Sequence, residues 1–90
     1  MGLEFQIETY DVVRTELPGF LRRQPEFLRE ENGTIHLGPE SDRVLCTVRD
    51  NQSGHVYVCQ HVASREADAL LGLIIRRLLS LNDHVVVSEL

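Results

Sequence analysis

The chain has 90 residues, 42% hydrophobic and 26% charged, the ordinary balance of a globular domain and not of a disordered segment. Fourteen acidic against nine basic residues leave a net charge of −5, which argues against a broad phosphate-binding surface and so against a nucleic-acid partner. No apolar run approaches the roughly 18–20 residues of a membrane span and no leader pattern opens the chain, so the expectation is one cytoplasmic domain over residues 1–90 with no membrane partner.

Leu3, Phe5, Ile7 and Thr9 alternate with Glu4, Gln6 and Glu8, the period of two that predicts a half-buried strand over residues 3–10. Leu17, Phe20, Leu21, Gln24 and Leu28 follow at helical spacing, with Thr15 as a cap and Pro18 in the first turn. Pro25 breaks that run, because a proline in mid-helix removes a hydrogen bond and clashes with the preceding turn, at a cost of about 3 kcal/mol. Two short helices, 16–24 and 25–31, are therefore expected, with Gly33 ending the second in the left-handed conformation. The rival reading makes Asn32-Gly33 a hairpin turn; Glu30 and Glu31 weigh against it as poor strand formers.

Three strands are expected at 34–37, 43–50 and 55–62, separated by Gly-Pro-Glu-Ser-Asp at 38–42 and Asn-Gln-Ser-Gly at 51–54. Keeping both valine rows on one face sets Val48 opposite Val56 or Val58. It turns Cys46 toward the valines and Cys59 away with Tyr57 and His61, so no intramolecular disulfide is expected. Ser64 caps a final helix over 64–81, where Ala67, Leu70, Leu71, Ile74, Ile75, Leu78 and Leu81 form one apolar stripe and Leu73 and Leu79 lie on its flanks. Residues 84–90 read as a last strand. Its consecutive Val85, Val86 and Val87 suit the inside of a sheet rather than its rim. The expected fold is α+β, a two-layer sandwich in the order β-α-β-β-β-α-β. It has a five-stranded mixed sheet, a right-handed crossover at the end, and helices on one face.

Chemical motifs are few. Cys59 and His61 share a strand face, with His36 nearby, yet no set of three or four metal ligands at zinc spacing can be named. The same pair lacks a visible oxyanion hole, and Glu30, Glu31, Glu40 and Asp42 sit where acids are commonplace, so no catalytic residue and no cofactor are assigned. All nine basic residues are arginine, which excludes a lysine nucleophile or Schiff base and fits a GC-rich bacterial genome. The order helix, three strands, helix resembles the double-stranded-RNA-binding fold in outline. That module uses a basic cluster at the start of its last helix, and here Ser64-Arg65-Glu66-Ala67-Asp68 is net acidic, so the resemblance is topological only.

What remains is a non-enzymatic protein-interaction or regulatory module that pairs with itself as a homodimer or with another protein. The candidate interface is the sheet face away from the helices: Leu45, Tyr57, Cys59 and Val86, rimmed by Arg49, His61 and Glu8, with the helix flanks at Leu73 and Leu79 next in line. The alternative is a small-molecule-binding or catalytic domain that uses the Tyr57, Cys59 and His61 strand face.

Overall fold

A computed structural model of the protein describes residues 2–9, 11–51 and 55–90. In chain order the elements are β1 (Leu3–Glu8), α1 (Asp11–Arg22), β2 (Phe27–Glu31), β3 (Thr34–Leu37), β4 (Cys46–Asn51), β5 (His55–Gln60), α2 (Arg65–Leu81) and β6 (Val86–Glu89). The class is α+β, as the patterning implies. The sheet, however, has six strands in the order β2-β3-β4-β5-β1-β6, and every neighbouring pair is antiparallel.

The expected mixed sheet fails for a topological reason. A strand-helix-strand crossover makes β5 and β6 run the same way, but β1 lies between them and pairs with both. The two parallel strands never touch. The four strands between the helices also break the outline shared with the RNA-binding module.

A second departure from the residue pattern is β2. Residues 27–31 form a strand, not a second helix, because Asn32 and Gly33 both take positive φ (52° and 79°) and close a tight hairpin onto β3. That turn chemistry outweighs the strand-averse glutamates, which are held from both faces. Glu30 accepts a bidentate bond from Arg22 of α1 (2.8 and 3.1 Å), and Glu31 accepts from Arg29 at 2.5 Å. Helix α1 begins at Asp11, not near 16, so Pro18 sits inside it and Thr15 is no cap. The chain leaves α1 through short-range turns, with Arg23 N–H donating to Phe20 O and Gln24 N–H to Leu21 O, before Pro25.

Helix α2 starts as its sequence predicts. The Ser64 hydroxyl accepts from the Ala67 N–H at 3.1 Å, and Ala67, Leu70, Ile74 and Leu78 are buried in one stripe. Both helices lie on one face of the sheet. The core joins that stripe and Leu17 and Leu21 of α1 to Ile7, Ile35, Leu37, Cys46, Val48, Val56 and Val58. Each large aliphatic side chain so buried contributes about 1.5–3 kcal/mol. The β4–β5 register pairs Val48 with Val58, so Cys46 points into the core while Cys59 points away, and both are free thiols.

Candidate interaction surfaces

Leu45 does not reach the open face. It is only 4% exposed and belongs to the core. Cys46 pairs with Leu37, and the Leu45 N–H also donates to the Leu37 carbonyl at 2.9 Å. Two residues therefore face one across the β3–β4 ladder, a bulge that turns Leu45 and Cys46 to the same side. Simple alternation carried back from Val48 cannot see that kink.

The rest of the open face is polar and largely paired. The Tyr57 hydroxyl donates to a Glu4 carboxylate oxygen on the neighbouring β1, and the Arg49 guanidinium lies 5.2 Å from the Tyr57 ring centroid. Thr47 Oγ1 and His61 Nε2 are 3.0 Å apart, and His55 Nε2 lies 3.2 Å from Glu8 Oε1. Cys59 sits opposite Thr47 on one side and Glu4 on the other. Burial first, then the Glu4 charge, push its thiol above the ordinary value. His61 thus meets Thr47 of the neighbouring β4. A hollow beside this face is lined by Arg29, His36, Asp42, Val44, Thr47 and His61, but Arg29 is already engaged by Glu31 and the Ser41 carbonyl. Among the described residues no group of three or more His, Cys, Asp or Glu could hold a metal ion.

The apolar exposure lies elsewhere. Among the described residues the exposed large apolar side chains are Leu3, Val62, Leu79, Val86, Val87 and Leu90, and four of the six belong to β1, to β6 or to the residue after β6. Val86 is 47% exposed and Val87 41%, and all four residues of β6 are exposed. The Val-rich run expected inside the sheet forms its rim. Register places Val86 on the open face beside Glu8, and Val87 on the helix side beside Ile7. Helix α2 meets α1 along one flank, where the Arg77 guanidinium lies 4.8 Å from the Phe20 ring centroid. Helical spacing puts Leu71, Ile75 and Leu79 on the other flank. Leu71 and Ile75 pack on the core there, and Leu79 is exposed.

Two further features were hidden from sequence reasoning. Gln60 is a polar core residue, 2% exposed, whose Nε2 donates to Asp68 of α2 at 3.0 Å. Gly38 is buried so tightly that an added Cβ would run into the Arg43 carbonyl oxygen. No helix among the described residues is long and apolar enough to cross a membrane. The chain matches no family model, no curated protein and no solved structure.

Proposed function

We propose that this chain is a non-enzymatic, self-associating interaction module whose contact surface is the β6 end of the sheet. One observation carries the reading: a strand with the composition of a sheet interior lies at the sheet's rim, with Val86 and Val87 both in solvent. Bare edge strands are templates for pairing, and soluble proteins blunt them when pairing is unwanted. Leu3, at the start of the neighbouring β1, is a further exposed apolar side chain. In this reading Arg49, Tyr57, Cys59 and His61 form a solvated polar face, since their cross-strand partners leave little there for a second protein to satisfy.

The alternative, catalysis or ligand binding on that face, has less to rest on. A Cys59 thiol raised by burial and by Glu4 is poorly ionised, and the thiolate is the reactive form. Light scattering and sedimentation equilibrium from low to high micromolar concentration test the proposal. The expected result is a rise to twice the chain mass. A mass of one chain at every concentration removes self-association as the function.

A further inference from the structure

We infer that two copies of the chain join β6 to β6 antiparallel about a two-fold axis at Val87, merging their two six-stranded sheets into one. The inference rests on the self-association proposed above and specifies its geometry.

The direction of the backbone groups on β6 fixes the choice. The Leu90 N–H donates to the Glu4 carbonyl at 2.8 Å, and the β1–β6 register continues from Gln6 opposite Ser88 to Glu8 opposite Val86. Bonded and non-bonded pairs alternate along an antiparallel ladder. The peptide groups of Val86, Ser88 and Leu90 therefore point to β1. Those of Val87 and Glu89, and of Val85 just before the strand, point out from the sheet edge.

A two-fold pairing must set outward groups against outward groups. Axes on residues 85–89 all do so, but one at Val85 needs the bend at Asn82 and Asp83 in the ladder and one at Glu89 sets two glutamates face to face. With Val86 opposite its own copy, Asp83 comes to lie against Glu89, two like charges in one ladder. With Ser88 opposite its copy, two polar side chains meet on the axis and each Glu89 faces a Val87. With Val87 opposite Val87, Val85 meets Glu89 on each side of the axis, all three outward residues are used, and no like charges face each other. The Val87 pair then closes on the helix side, while each Val86 faces Ser88 across the join on the open side.

A second copy fits this edge better than the opposite rim of another molecule. At that rim β2 carries Arg29, Glu30 and Glu31 and is bulged between Phe27 and Arg29. Charge and a bulge both disfavour added strands, so a head-to-tail chain of β6 on β2 is blocked and the closed two-fold pair remains.

Amide hydrogen exchange, read residue by residue by NMR on the whole chain across a dilution series, tests the pairing. In dilute solution the Val86 and Ser88 amides, bonded to β1, are protected, and the Val87 and Glu89 amides exchange freely. In concentrated solution the Val87 and Glu89 amides slow by about tenfold or more as the mass doubles. Val87→Pro removes one outward N–H and none that bonds β1, and Val87→Lys puts a charge on the axis. Both are expected to stay at one chain mass with an unchanged far-UV spectrum. A wild type that never dimerises overturns this inference together with the proposed function. A dimer in which the Val87 and Glu89 amides still exchange freely, or which survives Val87→Lys, overturns the β6 pairing alone and leaves self-association standing. If Val87→Pro fails to fold, the wild-type exchange pattern and Val87→Lys still decide.

Discussion

Strands β2 and β6 occupy opposite rims of one sheet, and they are built to different ends. β2 interleaves arginine and glutamate, holds Glu30 to α1 through Arg22, and is bulged near its start. That pair holds the Glu30 carboxyl below its usual range through the Arg22 hydrogen bond and raises the Arg22 guanidinium in turn. β6 has two exposed valines and only one acid, and its outer backbone groups face away from β1. The comparison teaches that edge chemistry, and not strand order alone, decides which side of a sheet is finished. A closed rim carries charge and irregularity; an open one keeps the flat apolar sequence of an interior.

The largest expected effect strikes the layer that both rims share. Ile74 is fully buried on α2, and an aspartate there loses the aliphatic burial and leaves an unpaired charge, costs that together reach the about 5–15 kcal/mol available to a small domain. Ile74→Asp is expected to give no cooperative melt, while Arg76→Ala, on the exposed side, melts close to wild type. Equal melting temperatures for the two would reverse the orientation of α2.

Gly38→Ala is the sharper tool, because it acts near the β2 rim alone. The new methyl would meet the Arg43 carbonyl and crowd Leu28, so a loss of about 2–4 kcal/mol in denaturant melts is expected. Faster exchange should be confined to the β2–β3 end, with the β1–β6 amides unchanged. Uniform loosening of both rims would show that they do not act independently.

Cys46 reports on the interior between the rims. Burial, with a smaller contribution from Cys59, pushes its thiol from the ordinary 9.0 up to about 12. A raised thiol stabilises the fold fully below 9.0, and that contribution is lost as pH climbs toward 12, because only the unfolded chain ionises. Between pH 7 and pH 10 the loss should be about 1 kcal/mol, and Cys46→Ala should flatten the slope. A slope that persists unchanged in that variant would place the titrating group elsewhere. In the native protein at neutral pH, a thiol reagent should modify the partly exposed Cys59 well before the buried Cys46.

The smallest effect on the fold should come from making the rims alike. Arg29→Val with Glu31→Val removes an exposed ion pair that contributes little, so the melting temperature should barely move. Assembly should change instead: with both edges apolar, light scattering should reveal growth beyond the dimer. A double variant that assembles like the wild type would mean that the charges do not guard β2.

Much of this was legible in the residues. Period-two alternation located β1 and the valine face of β4 and β5, and the register that separates Cys46 from Cys59 followed from keeping the valines together. The Ser64 cap and the stripe from Ala67 to Leu78 gave α2 its start and its buried face. These features depend on neighbours within a few residues, which a sequence displays. The Asn32-Gly33 turn was also visible, but local propensity at Glu30 and Glu31 argued against it, and the turn together with partners from α1 and within β2 reversed the balance.

The sequence by itself determined the alternating strands, the final helix and which faces are apolar, because backbone periodicity and capping are short-range. Tertiary structure alone decided three other things: that the Leu45 bulge turns that residue into the core, that β1 separates β5 from β6, and that β6 is a rim. Each depends on which distant strand supplies the hydrogen bonds, and a run such as Val85-Val86-Val87 reads the same whether a strand lies on one side of it or on both.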